Sequence, residues 1–230
     1  MKTIGIIGGM SWESSTVYYQ LMNQKIKELL GGFHSCKLIL WSVDFAEVEQ
    51  LQRDGNWIKL DELMVKVAHK LELAGAEIIL VGTNTMHLCA PAIEAKISVP
   101  FLHIAEATAQ IIQKTGFKKV ALLGTKFTME KDFYKDIIQK KYGIEILIPT
   151  KDERDIIHQI IYKELVQGKI KPESKQKYID IIKNLHEKGA EGVILGCTEI
   201  PLLIQAEDVP IPIFDTTKIH AEKAIEWALE

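Results

Sequence analysis

The chain has 230 residues, of which 47% are hydrophobic and 26% charged, and its formal net charge is −3. That composition is ordinary for a globular protein, and a slightly acidic balance gives no footprint for nucleic acid or an anionic membrane as partner. No apolar run approaches the roughly 20 residues that span a bilayer, the opening residues read as a strand rather than a secretory signal, and three cysteines without C-x-x-C spacing read as free thiols of a cytoplasmic protein.

Residues 3–7 form an apolar strand pattern that runs into Gly8-Gly9. The G-x-G-x-x-G spacing of a dinucleotide site is absent, yet a glycine turn before a helix leaves N–H groups that suit a carboxylate as well as a phosphate. A helix is predicted over residues 15–30 and ends at Gly31-Gly32. A second strand is predicted over 37–43. The polar segment 44–56, with Glu47, Glu49, Gln52, Arg53 and Asp54, reads as a loop able to cover a cleft. Helical spacing resumes over 57–74, and an apolar strand then delivers Thr83-Asn84-Thr85-Met86-His87. A short strand over 99–103 carries Pro100, which suits an edge or a strand start.

The second half begins with a strand over 120–123, the turn 124–128 and a helix predicted over 129–142. A strand over 145–148 follows, and Thr150 with Glu153 forms a capping box for a helix with Ile156, Ile160, Ile161 and Leu165 at helical spacing. The lysines between 163 and 183 are interleaved with Glu164, Glu173 and Asp180, a solvated face rather than a phosphate-binding stripe. Pro172 opens another helix, which stops at Gly189. The apolar run 192–195 closes in Gly196-Cys197-Thr198-Glu199, and after Val209-Pro210-Ile211-Pro212 come a strand over 213–215 and a terminal helix carrying His220. Strands alternating with helices predict mostly parallel sheets.

The two halves echo one another. Residues 75–83 align without a gap on residues 189–197: Gly, Ala, Glu and a later Gly recur, apolar residues exchange for apolar, and Thr83 falls on Cys197. Residues 2–8 likewise resemble 118–124. Similarity at so long a period argues for a duplicated domain, since solenoid repeats are much shorter. The expected fold is α/β in two pseudo-symmetric lobes, each a mostly parallel sheet flanked by helices. The lobes are expected to be 1–98 plus 212–230 and 99–211, with the last strand and helix returning to the first lobe across Pro210 and Pro212. Open α/β sheets bind ligands at the carboxyl ends of their strands. Thr83 and Cys197 are therefore expected on opposite walls of an interlobe cleft.

A thiol at a strand end beside a helix start is a candidate base, its usual pKa of roughly 8.5 lowered by nearby N–H groups. Glu199 reads either as a carboxylate that orients it or as a helix-start residue complementing the dipole. Cys36 and Cys89 read as structural. His87 reads either as a residue under the cleft or as a buried, hydrogen-bonded histidine, and His34, His69, His103, His158 and His186 as structural or exposed. His87-x-Cys89 has no companion spacing that would make a metal site.

Gly8-Gly9-Met10, Asn84-Thr85-Met86-His87 and Gly196-Cys197-Thr198-Glu199, in this order, resemble the aspartate/glutamate racemase family, and the resemblance covers essentially the whole chain. It implies an amino-acid racemase that needs no pyridoxal phosphate, metal or nucleotide, with its site between two lobes and usually a homodimeric assembly. In that family two cysteines face opposite sides of the substrate Cα. Cys197 matches the second of them, Asn84-Thr85 matches the polar pair after the first, and Thr83 stands where the first cysteine belongs. A hydroxyl is a far weaker acid than a thiol, so a one-sided preference between enantiomers is expected. The reading places Thr83 and Cys197 as catalytic, and Met10, Gln52, Asn84, Thr85, Thr125, Thr128, Thr198 and Glu199 as binding aspartate, glutamate or a similar amino acid. Backbone N–H groups after Gly8, Thr83, Gly124 and Cys197 are expected to cradle the carboxylate, and Arg53 and Lys163 are candidates for a distal carboxylate. A single-thiol decarboxylase or isomerase of a small carboxylic acid, and a non-catalytic small-acid binding protein, are the alternatives.

Overall fold

The echo in sequence is an echo in topology. In the computed structural model, which describes all of residues 1–230, the chain forms two units, Met1–Ile104 with His220–Glu230, and Ala105–Ile219. The first unit runs β1 (Ile4–Gly8), α1 (Trp12–Leu30), β2 (Leu38–Ser42), α2 (Phe45–Arg53), α3 (Trp57–Leu73), β3 (Ile78–Val81), a 3-10 turn (Thr85–Cys89) and α4 (Ala90–Glu94). Its sheet is parallel in the order β2-β1-β3, and Phe101 bridges Ile79 in parallel as a rudimentary fourth strand. Helix α5 (Ile104–Thr115) leads into the second unit: β4 (Lys119–Gly124), α6 (Lys126–Glu130), α7 (Asp132–Asp136), β5 (Glu145–Leu147), α8 (Lys151–Lys163), α9 (Pro172–Glu187), β6 (Val193–Gly196), α10 (Ile200–Leu203), β7 (Ile213–Asp215) and α11 (Thr216–Leu229). Its sheet is parallel in the order β5-β4-β6-β7. With Phe101 counted, the two orders are the same.

The repeated Gly-Ala-Glu has a physical explanation. Gly75 and Gly189 take φ of 96° and 97° just past α3 and α9, a left-handed region that favours glycine. Each is followed by an alanine whose N–H returns to the helix, Ala76 to Leu71 O and Ala190 to Leu185 O, both 3.0 Å. The glutamate then pins the neighbouring strand: Glu77 accepts from Thr3 N–H at 2.7 Å, and Glu191 from Lys118 and Lys119 N–H at 2.6 and 2.9 Å. The motif stops a helix and sets the start of the adjacent strand.

Both faces of each sheet are covered, which is why the strands read as unbroken apolar runs. In the first unit Ile4 and Ile6 pack with Tyr18, Met22 and Ile26 of α1 and with Ala221, Ala224, Ile225 and Ala228 of α11. On the opposite face Ile7, Ile79 and Val81 pack with Leu60, Met64, Ala68 and Leu71 of α3. In the second unit α8 and α9 supply Ile157, Ile161, Tyr178 and Ile182 against Ala121, Leu123, Val193 and Leu195. Each fully buried aliphatic side chain contributes about 1.5–3 kcal/mol.

Four sequence expectations change. Segment 44–56 is mostly helix α2, capped by Asp44, whose side chain accepts from Ala46 N–H at 3.0 Å; its charges face water and bury Val48 and Gln52 beneath them. Helix α5 was not predicted, and the helix predicted over 129–142 is broken into α6, α7 and a π-turn (Ile137–Lys141). Strand β7 does not return to the first unit. It pairs with β6 in the second sheet, Val193 opposite Ile213, and Pro212 leads into this edge strand where a missing N–H costs no ladder bond. The return occurs inside α11, at His220.

The glycine turn after β1 is sterically closed. Gly9 has φ of 87°, and a Cβ there would fall within the van der Waals envelope of Val43 O and Val43 N. Gly9→Ala is expected to cost about 3 kcal/mol from backbone strain and overpacking together, read as a fall of about 6–12 °C in the thermal midpoint. An unchanged midpoint would show that the turn relaxes freely.

Candidate functional site

Two strand ends, one in each unit, carry the expected site residues. In the first unit the ladder of β3 ends where Gly82 N–H donates to Ile7 O at 2.8 Å. Thr83 follows half-buried, and Asn84 and Thr85 are buried at the start of the 3-10 turn. Helix α2 brings Gln52 to this turn: its amide is buried and lies 3.0 Å from Met86 Sδ. Met10 is buried after the glycine turn, in the same apolar cluster as Val48 and Met86. The N–H after Gly8 is not open to a carboxylate, because Gly9 N–H donates to Ser15 Oγ at 2.8 Å.

In the second unit β4 and β6 end side by side, Gly124 opposite Gly196. Thr125 is the N-cap of α6: its hydroxyl accepts from Thr128 N–H at 3.3 Å and lies 3.2 Å from Thr128 Oγ1. Ser11 and Ser14 do the same after Gly9, with hydroxyls 3.2 Å apart, so the duplicated turn keeps its hydroxyl pair. These are caps by geometry, and both threonines are buried.

Cys197, Thr198 and Glu199 form one hydrogen-bonded group. Cys197 is 9% exposed, and its Sγ–H donates to Glu199 Oε2 at 2.9 Å; Thr198 Oγ1 donates to the same oxygen at 2.7 Å. Glu199 therefore faces the thiol rather than serving only the helix that follows. The electrostatics reverse the sequence expectation. Burial first, then the Glu199 carboxylate, push the thiol pKa well above its ordinary value, and the backbone N–H groups of Glu199 and Thr198 oppose this only in part. Cys197 rests as a thiol with a proton acceptor attached. Tyr178 of α9 lies in the same buried cluster, its hydroxyl pushed up by burial first and then by neighbouring negative charge, Glu164 and Glu199 included; sequence offered no signal for it beyond a buried helical position.

Cys36 is half-buried, with its pKa raised to about 11 by burial. Cys89 is buried and raised by burial and by Asp61. His87 is buried, with Nδ1 2.8 Å from Thr83 O. His103 and His220 are buried too, their rings 4.6 and 5.7 Å from that of His87. Arg53 is exposed and paired with Glu49 at 3.2 Å, and Lys163 is exposed. No group of three or more His, Cys, Asp and Glu side chains gathers as a metal site, and no helix is long and apolar enough to cross a membrane.

Fold and site together define a duplicated, parallel α/β enzyme with a thiol–carboxylate pair at a strand end. The family model described as Asp/Glu/Hydantoin racemase matches residues 7–224. The chain belongs to this family of isomerases, as an amino-acid racemase of the Asp/Glu type. It is 25% identical to the broad specificity amino-acid racemase RacX of Bacillus subtilis (strain 168), over 98% of each chain. Among solved structures it is similar to a Yersinia pestis protein ascribed to the Asp/Glu racemases, with 50% identity, full coverage of both chains and a TM-score of 0.95. It is also similar to an aspartate racemase homologue from Pyrococcus horikoshii OT3, with 39% identity, full coverage of both chains and a TM-score of 0.86.

Proposed function

We propose that the chain racemises aspartate, glutamate or a similar amino acid without pyridoxal phosphate, metal or nucleotide, and that Cys197 and Thr83 face the substrate Cα from opposite walls of a cleft. The observation that carries the reading is the 2.9 Å hydrogen bond from Cys197 Sγ to Glu199 Oε2. Glu199 takes the thiol proton, the resulting thiolate takes the α-proton, and the carbanion is relieved as an enolate by hydrogen bonds from Asn84, Thr85, Thr125, Thr128 and Thr198. A proton returned from the Cys197 side gives exchange with retention. One returned from the Thr83 side, by the hydroxyl or a water it holds, gives inversion. Met10 and Gln52 shape the pocket for the side chain. A homodimer in a reducing cytoplasm belongs to the same proposal, and three free thiols are compatible with that compartment.

The test is incorporation of solvent deuterium at Cα, screened over the common L- and D-amino acids. Release of CO₂ instead would make this a decarboxylase, and neither outcome would leave a binding protein. Glu199→Gln refines the test, because its two consequences oppose each other. Removing the carboxylate lowers the Cys197 pKa, which by itself makes thiolate more available as pH rises toward neutrality. It also removes the proton acceptor, and wash-in is expected to fall by about 10²-fold. Faster exchange in Glu199→Gln would exclude the acceptor role.

A further inference from the structure

Beyond Gly82 the β3 ladder is finished, and the chain turns at Thr83 with no sheet partner to hold it. In an α-turn the Thr83 carbonyl would accept from His87 N–H. Here the 3-10 winding sends that N–H to Asn84 O at 3.1 Å, and the imidazole takes the vacated carbonyl instead, with Nδ1–H donating to Thr83 O at 2.8 Å. The other ring nitrogen is engaged as well: Nε2 accepts from Ile104 N–H at 3.2 Å, at the first residue of α5, where the chain leaves this unit. Two backbone partners of opposite polarity fix the tautomer, and the rings of Phe101 and His103, 5.7 and 4.6 Å away, wall the imidazole in.

We propose that His87 is a positioning residue of the reaction: bridging Thr83 O and Ile104 N–H, it clamps the turn that aims the Thr83 hydroxyl. The inference rests on the racemase reading above for what Thr83 does, but not for the clamp itself. His87 is no proton carrier. Burial first, then His103 and His220, keep it well below the ordinary imidazole range, and His220 is itself pushed down to about 4 by burial, with Tyr18 OH on its Nδ1. His87 and His220 stay neutral through the working range of an enzyme, which suits a fixed peg.

Two amides separate the two bonds. His87→Asn places a donor near the Nδ1 position and lacks reach to Ile104; His87→Gln reaches Ile104 with an acceptor and loses the bond to Thr83. Conversion of the reactive enantiomer to its mirror image, the step that uses the Thr83 hydroxyl, is expected to fall less in His87→Asn, which keeps the bond to Thr83 O, than in His87→Gln. In His87→Gln kcat for that inversion is expected to fall by about 100-fold with little change in KM, the cost of a misplacement of about 1 Å. Equal losses in the two variants would overturn the proposal. Long-range proton–nitrogen NMR of the full wild-type chain is expected to show the Nδ1–H tautomer unchanged between about pH 6 and 8; an Nε2–H tautomer would overturn the clamp even if both variants misfolded. If the wild type exchanges no α-proton, the racemase reading fails, and the clamp is judged by the tautomer and by amide exchange over residues 84–87. That exchange is expected to be faster in His87→Gln than in His87→Asn, and equal rates would refute it.

Discussion

Cys197→Ser is expected to lower α-deuterium wash-in roughly a thousandfold or more, toward the upper range for a positioned acid or base. Serine preserves the shape and the hydrogen bond to Glu199, but its hydroxyl is too weak an acid for the carboxylate to deprotonate to a useful extent. The variant should stay folded, since the site is a strand end and the serine hydroxyl keeps the same acceptor. Cys36→Ser and Cys89→Ser are the controls: burial holds both thiols protonated, with a hydrogen bond to Asp61 adding to it at Cys89, and neither stands directly at the carboxyl end of a strand as Cys197 does. Comparable losses in all three would point to general destabilisation, not chemistry.

Thr83→Cys is expected to have the second large effect, and on one hand of the substrate only. If Cys197 is the only competent base, one enantiomer exchanges its α-proton readily and the other slowly. The equilibrium constant between enantiomers remains unity in every variant, so the asymmetry lies in rates and binding. A thiol at position 83 supplies the missing base on the second face, and the slow enantiomer should gain about 10²–10⁴-fold while the fast one changes little. The residue volumes are similar, so the turn should survive the change. Thr83 is half-buried, less enclosed than Cys197, which lets a thiol there keep a more ordinary pKa. Equal exchange from both enantiomers in the wild type would show that Thr83, or a water it holds, already serves as acid and base.

Much of this was legible before any coordinates. The apolar runs around 78–81 and 193–196 and the glycines that end them are strongly patterned, and both became fully buried strands with Thr83 and Cys197 just past their ends. What stayed hidden was set by tertiary context. Segment 44–56 looks like a loop because most of its residues are polar and it is short, yet Val48 and Gln52 are buried and Phe45 and Leu51 pack beside them, which docks α2. Helix α5 has a legible apolar face, but no Ser, Thr, Asp or Asn immediately precedes it to mark its start. The Cys197 pKa shift is opposite to the sequence expectation because a sequence shows the helix start but neither the burial of the sulfur, which raises the pKa most, nor that Glu199 turns back onto it. The double role of the His87 ring needed the position of Ile104, distant in sequence.

The crossing of the chain at Ile104 and again at His220 has a consequence for the order in which the molecule can be made. Strand β1 leaves the ribosome before residues 105–219, but part of its cover, Ala221, Ala224, Ile225 and Ala228, is translated only after all of them. Until then one face of Ile4 and Ile6 has no α11 to bury it. The first unit therefore cannot be completed until the second has been translated, unlike a unit that is contiguous in sequence. A nascent chain stalled before His220 should expose that face to chaperones, while Ala105–Ile219, contiguous in sequence, can already close around its own core.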